Sequence, residues 1–259
     1  MEESRMEFNQ EQLQRALPSF DFYFFDEIES TNKTAKQWLE DGKVEKNAVL
    51  IADQQTGGYG SHARKWSGDQ SGLYCSIIFP ISNMVPINPG AITMQTATVI
   101  AQTLNEVYQS DVKLKWVNDL ILNRKKLGGI LCELVTNLNN QIIGLVIGFG
   151  INISKQSVPA ELESIAINLS ENVSADNNQK FITQVLDGIK KSYHSEQNDS
   201  WLNDYKELST MYQQMVEVDL NDQHLVGRVA DFRDDGALVL KTSENVVPIL
   251  AGTVSFHEK

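Results

Sequence analysis

The sequence predicts a mixed α/β (α+β) main domain over residues 1–213 and a small β-barrel over 214–259, on three observations. In the first half of the chain, apolar strand-like runs alternate with segments of helical period. A β-rich block follows, in which KLKWVNDLIL, KLGGILCELV and QIIGLVIGFGINI are joined by turn-like polar clusters. From Met215 the pattern changes to closely spaced short strands, MVEVDL, HLVGRVADF, GALVLK and VVPILAGTVSF, as in a small barrel.

Taken in order, residues 20–29 (FDFYFFDEIE) alternate aromatic and acidic side chains and read as a strand. Ser30-Thr31-Asn32 then offers capping side chains to a short helix through Ala35, Trp38 and Leu39, which Gly42 ends. Residues 47–52 (NAVLIA) form a buried strand feeding the glycine-rich loop QQTGGYGSHARKW, and 72–80 (GLYCSIIFP) form another strand. Residues 70–105 carry no charged side chain, yet Pro80, Pro86, Pro89 and many polar residues interrupt the run, so it is no membrane span. After Pro89-Gly90, the residues Ile92, Thr96, Val99, Thr103, Leu104 and Val107 recur at helical spacing and predict a helix buried on most sides. NRKK reads as a hairpin turn, and 155–178 is polar and poorly patterned. Two amphipathic helices follow, one through Ile182, Val185, Leu186, Ile189 and Tyr193, the other through Trp201, Tyr205, Leu208 and Tyr212. Asp234-Asp235-Gly236 is a tight-turn signal within the C-terminal unit.

The chain has 259 residues, 34 acids against 22 bases, a net charge of −12 and 41% hydrophobic residues. That composition excludes a disordered, fibrous or disulfide-stapled chain. The acidic balance argues against nonspecific nucleic-acid binding, which needs surplus Lys and Arg to neutralise phosphates. Cys75 and Cys132 each sit in an apolar run and read as buried reduced thiols. The first 18 residues lack the basic start and apolar core of a signal peptide, so the cytoplasm is the expected compartment.

Four segments could carry chemistry, and each also has an ordinary structural reading. Gly57, Gly58 and Gly60 let backbone amides approach a ligand, and Arg64 and Lys65 add cations suited to a phosphate. There is no G-K-[ST] ending, so this is not a P-loop. Gly58-x-Gly60-x-x-Ala63 matches a dinucleotide fingerprint only formally, because turn-rich residues follow and no acid between 70 and 105 can hold a ribose. By itself the segment reads as readily as a surface loop. Lys126 precedes Gly128 and Gly129, which would let a ligand lie flat beside the ammonium. A lysine at an exposed hairpin turn looks the same. Asn118-Asp119 is an ordinary turn, or an acid that orients a lysine or magnesium near a phosphate. Ser30 or Thr31 caps a helix, or the Ser30-Thr31-Asn32 trio hydrogen-bonds a neutral polar ligand, and the two roles are compatible.

Read together, S-T-N, then Q-x-x-G-x-x-G, R-K-W, K-W-x-N-D, K-L-x-G-I-L-x-E and G-x-G-I-N resemble the biotin protein ligase family over about residues 20–154. AGTVSF resembles the end of that family's small barrel. The resemblance implies a fold related to class II synthetases and a two-step reaction using ATP and magnesium. Biotin is activated to biotinyl-5'-AMP, then passed to a lysine of a biotin carboxyl carrier protein. It further implies roles for individual residues. Ser30, Thr31 and Gln55 match positions that hydrogen-bond the ureido ring or line its pocket. Tyr59 and Gly60 contact ligand through the backbone, and Asn32, Gly58, Ser61, Gly128 and Gly129 complete the biotin and adenylate site. Trp66 is expected beneath the loop. Lys126 touches both the biotin carboxylate and the α-phosphate, with Asp119 and Arg64 as its catalytic companions. Lys65, Asn118 and Asn152 are expected with Arg64 around the nucleotide.

Two departures bear on function. The family's loop usually reads G-R-G-R-x-G-R, whereas here Tyr59 and Ser61 replace two arginines. Retention of the adenylate is then expected to rest on His62, Arg64 and backbone amides, with readier release. Some family members carry a winged DNA-binding domain ahead of the core. Here the first core strand begins near residue 20, and DNA binding is not expected. The alternatives are a lipoate or octanoate ligase, disfavoured by the polar trio Ser30, Thr31 and Gln55, and a non-catalytic biotin sensor, disfavoured by Lys126 and Asp119 together. Monomer and homodimer both remain open.

Overall fold

The computed structural model describes residues 8–61, 64–67, 72–81, 88–154, 158–169, 174–194, 200–220 and 223–257. In chain order the elements are α1 (Gln10–Ala16), β1 (Asp21–Ile28), α2 (Thr31–Glu40), β2 (Ala48–Gln55), β3 (Gly72–Pro80), α3 (Pro89–Tyr108), β4 (Lys113–Lys115), β5 (Asp119–Leu122), β6 (Lys125–Thr136) and β7 (Ile142–Asn152). Then follow α4 (Ala175–His194), α5 (Ser200–Leu208), β8 (Met215–Leu220), β9 (Gln223–Phe232), β10 (Leu238–Lys241), β11 (Val246–Ile249) and β12 (Thr253–Phe256).

Seven strands form one mixed sheet in the order β1-β2-β3-β7-β6-β5-β4. Only β1 and β2 pair in parallel; the other neighbours are antiparallel. Period-two alternation sorts the strand side chains onto two faces. Val49, Ile51, Leu73, Cys75, Ile77, Leu145 and Ile147 join the main core with α3, α4 and α5. Leu50, Ile78 and Val146 join a smaller cluster with Ala35 and Leu39 of α2. The sheet is therefore covered on both faces, and α2 lies on the face that carries the site.

Helix α3, uncharged as far as Glu106 in its last turn, settles into the core because its buried polar groups are satisfied locally. Asn88 caps it by accepting from the Gly90 and Ala91 amides, with Pro89 in the first turn. Thr93, Thr98 and Thr103 donate their hydroxyls to the carbonyls of Pro89, Met94 and Val99, one turn back. No helix among the described residues is long and apolar enough to cross a membrane.

Several expectations need adjustment. The N-terminal polar stretch holds a helix, α1, capped by Asn9 and anchored by buried Leu13 and Leu17. The last amphipathic helix ends at Leu208, so Tyr212 lies beyond it and packs on Phe232. The Tyr193 side chain lies outside what is described. VVPILAGTVSF splits into β11 and β12, which occupy opposite edges of a five-stranded antiparallel sheet, β11-β10-β9-β8-β12. The expected small C-terminal β unit is present, and among the described residues no β11–β12 pairing closes it into a barrel.

The C-terminal sheet shares buried residues with the main core, including Val216, Val229, Phe232 and Leu240. Its Asp234-Asp235-Gly236 turn docks on the start of α3. Trp116 Nε1 donates to the Gly236 carbonyl at 3.0 Å, and Asn88 Nδ2 donates to the Asp235 carbonyl at 2.8 Å. Gly236 has φ +86°, and a Cβ there would lie 2.5 Å from the Gly90 carbonyl carbon. Glycine serves both the turn and the close approach.

Candidate functional site

The site begins where α2 meets the sheet. Ser76 of β3 and Leu131 of β6 flank Gly148 of β7 in register. A Cβ on Gly148 would lie 1.9 Å from Asn32 Oδ1, so glycine lets the first turn of α2 reach the strands. Ser30 caps α2, accepting from the Lys33 amide at 3.4 Å. The Thr31 amide donates to Gln55 Oε1 at 2.8 Å, and Thr31 Oγ1 lies 3.1 Å from the same oxygen. Ser76 Oγ lies 2.7 Å from Thr31 Oγ1 and 2.6 Å from Asn32 Oδ1. Asn32 Nδ2 donates to Glu133 Oε2 at 2.9 Å. Ser30, Thr31, Asn32 and Ser76 are all buried. This is a polar cluster embedded in an otherwise apolar sheet face.

The glycine-rich loop folds back as a small hairpin. The Trp66 amide donates to the Gly58 carbonyl at 3.0 Å, and the Gly60 amide donates to the Arg64 carbonyl at 2.8 Å. Tyr59 turns toward the sheet, donating its hydroxyl to Glu133 Oε2 at 2.7 Å. Lys36 of α2 pairs with Glu133 Oε1 at 2.6 Å and stands 5.2 Å from the Tyr59 ring centroid. Burial pushes the Tyr59 phenol above its ordinary pKa, so it is a donor at neutral pH. Burial alone would lower Lys36, but its hydrogen bonds and the charge of Glu133 together carry it above its ordinary value. Trp66 packs on the glycine platform of β6 and β7, where a Cβ on Gly129 or Gly150 would come within 3.4 or 3.1 Å of its ring.

Lys126 projects beside this platform. Its backbone is held by Ile121 of β5 on one side and by residues 165–167 on the other. Its ammonium lies 2.6 Å from Asp119 Oδ1 and 5.3 Å from the Trp66 ring centroid. Asp119 opens β5 directly opposite Gly129. Asn118 exchanges hydrogen bonds with Ile130, and Asn152 Nδ2 donates to the Ile167 carbonyl at 3.2 Å. These two asparagines fix the walls around Lys126.

All of this opens into a cleft of about 1440 Å³. A single-ligand pocket is typically about 300–1,000 Å³, so there is room for two reactants. Among the described residues, six cationic side chains line the cleft, Arg64, Lys65, Lys113, Lys115, Arg124 and Lys126, against two acids, Asp119 and Glu207. A chain of net charge −12 thus concentrates positive charge at one place.

Every predicted site residue except Gly58 and Gly128 lines this cleft. Gly128 faces β7, where a Cβ would lie 2.6 Å from the Gly150 carbonyl oxygen. Gly58 allows the loop to pass Gln55, whose Nε2 would be 2.9 Å from a Cβ there. Gly129 lines the cleft, and the Trp66 indole packs beside it. His62 lies outside the described residues. Cys75 is fully buried and Cys132 half-buried against the cleft, and both thiols are free. Burial pushes both thiols up in pKa. Sequence reasoning missed Lys36, Ser76 and Glu133. A lone acid within the apolar run GILCELV was the available signal.

Residues 24–152 match the model of the biotin/lipoate A/B protein ligase family, and residues 214–257 match that of the biotin protein ligase C-terminal domain. The chain belongs to the biotin/lipoate A/B protein ligase family. Within the family it is 27% identical to the bifunctional ligase/repressor BirA of Bacillus subtilis over 239 residues, 89% of this chain and 72% of that protein. It is 26% identical over 234 residues to the biotin–[acetyl-CoA-carboxylase] ligase of Mycobacterium tuberculosis, covering 87% of this chain and 85% of that one. Its fold matches the biotin protein ligase of Aquifex aeolicus in complex with biotin and ATP, with a TM-score of 0.75 at 23% identity, over 92% and 99% of the two chains.

Proposed function

We propose that this chain is a biotin protein ligase. It joins biotin to ATP as biotinyl-5'-AMP and then transfers biotin to a lysine of a carboxyl carrier protein. The observation that carries the reading is the meeting, at Lys126, of a buried hydrogen-bonding pocket with a cationic cleft. A ureido ring presents two N–H groups and a carbonyl to Thr31, Gln55 and their neighbours. A lipoyl tail would bring no hydrogen-bonding partner to these groups, which is penalised.

In the first step a carboxylate oxygen of biotin bonds to the α-phosphorus of ATP, and the bond to pyrophosphate breaks. Both reactants are anionic, so the step needs positive charge held in place before reaction. Lys126 is so held, by its backbone and by Asp119. Arg64, Lys65 and Lys115 extend the field toward the phosphates. In the second step the acceptor amine attacks the acyl carbon, loses its proton, and AMP leaves. Among the described residues no group of three His, Cys, Asp or Glu could hold a metal ion. Magnesium would arrive on the nucleotide's phosphates, with Asp119 as the nearby carboxylate. The carrier protein and a cytoplasmic location belong to this same reading.

Tyr59 is committed to Glu133, and Ser61 lines the cleft without a charge. Both stand where the family usually has arginine. We expect Ser61→Arg to slow release of the adenylate by about tenfold, the worth of one charge-assisted contact. A trapped-intermediate off-rate unchanged from wild type would remove this account of retention. The function itself is tested by pyrophosphate exchange that depends on biotin and not on lipoate.

A further inference from the structure

We propose that Glu133 is a positioning residue for ligand recognition. It ends a one-way hydrogen-bond chain running from Thr31 through Ser76 and Asn32, and it ties Tyr59 of the glycine-rich loop to the same point. This rests on the biotin reading of the pocket.

The direction follows from counting protons. A carboxylate only accepts, so the Asn32 atom 2.9 Å from Glu133 Oε2 is the donor Nδ2, and Oδ1 faces Ser76. Oδ1 has no proton, so Ser76 donates its single proton to it, across 2.6 Å. The 2.7 Å contact between Ser76 and Thr31 must then use the Thr31 proton. Gln55 Oε1 is still satisfied by the Thr31 backbone amide at 2.8 Å. Thr31, which lines the cleft, is left with lone pairs alone on its Oγ1. It is an acceptor, and it selects a ligand that brings an N–H. A ureido ring does so, and a saturated or dithiolane tail does not.

Glu133 also accepts from Tyr59 at 2.7 Å and from Lys36 at 2.6 Å. Three donors from α2 and the loop therefore converge on one carboxylate of β6. An amide in its place would bring two more protons into a site already filled with donors. The proton order would be lost even though the side-chain shape is kept.

The test is a double-mutant cycle on ligand binding with Ser76→Ala and Glu133→Gln, read by calorimetric titration with biotin and, separately, with ATP. Each single variant should weaken biotin by about tenfold and leave ATP within about twofold, because ATP does not touch the chain. The double variant should be little worse than either single, since one chain can be broken only once. Losses that multiply to about a hundredfold, or equal losses for ATP, would overturn the proposal in favour of general packing. If Glu133→Gln does not fold, Ser76→Ala alone decides: selective loss of biotin supports the chain, and no loss removes it. A wild type that binds no biotin overturns the functional reading, and this one with it. Wild-type binding with independent losses overturns this one alone.

Discussion

Lys126→Ala is expected to lower biotin-dependent ATP–pyrophosphate exchange by about 10²–10³-fold, the loss that follows removal of one preorganised charge from a developing anionic centre. The geometry supports a chemical effect separate from a folding effect. The Lys126 side chain is 39% exposed, and it pairs with Asp119, itself 23% exposed. Such a half-solvated pair contributes at most about 1 kcal/mol to stability. For a chain of this size that is a shift of about 2–4 °C in Tm. Circular dichroism melting and exchange kinetics on the same preparation separate the two effects. Exchange within a few-fold of wild type would mean that the charge at this position is not used in activation.

Gly148→Ala should have the largest effect among single-atom additions. The new methyl group would sit 1.9 Å from Asn32 Oδ1. The strand cannot yield, because Gly148 is paired with Ser76 on one side and Leu131 on the other in the middle of the sheet. Asn32 cannot yield cheaply either, being 6% exposed and held between Ser76 and Glu133. Displacing it leaves a buried hydroxyl and a carboxylate short of partners, at a cost of about 2–4 kcal/mol. We expect Tm to fall by about 5–10 °C. Biotin should bind at least about tenfold more weakly, because Thr31 loses its fixed orientation. Gly60→Ala is the control. Among the described residues its Cβ would meet only the Arg64 carbonyl oxygen, at 3.9 Å. Its Tm should stay within about 1–2 °C of wild type. Unchanged melting and biotin affinity in Gly148→Ala would contradict the packing of α2 on the sheet.

The parts of the fold legible in the sequence were those set by local pattern. The β5–β6 turn at NRKK and the β9–β10 turn at Asp234-Asp235-Gly236 were read correctly, and Asn123 and Arg124 take the positive φ that a tight hairpin needs. Ser30 was one of two candidate caps, and it is the one that caps α2. What escaped were features set by contacts between distant segments. Glu133 sits about a hundred positions beyond Asn32 and Lys36, and nothing in β6 alone says which helix its carboxylate will meet. Gly128 and Gly129 look alike in sequence. Strand alternation sends them to opposite faces of the sheet, Gly128 beside Leu120 of the main core and Gly129 beneath Trp66. The C-terminal strands were countable, but whether their edges meet depends on twist and register that short runs do not encode.

Substrate selection is read out by ATP–pyrophosphate exchange by the wild-type chain with biotin and with lipoate in parallel. The pocket built on Thr31, Gln55, Ser76 and Asn32 predicts exchange with biotin and none above background with lipoate. Exchange with lipoate alone would contradict the account, because it would show that the buried hydrogen-bonding groups at the start of α2 do not select the substrate.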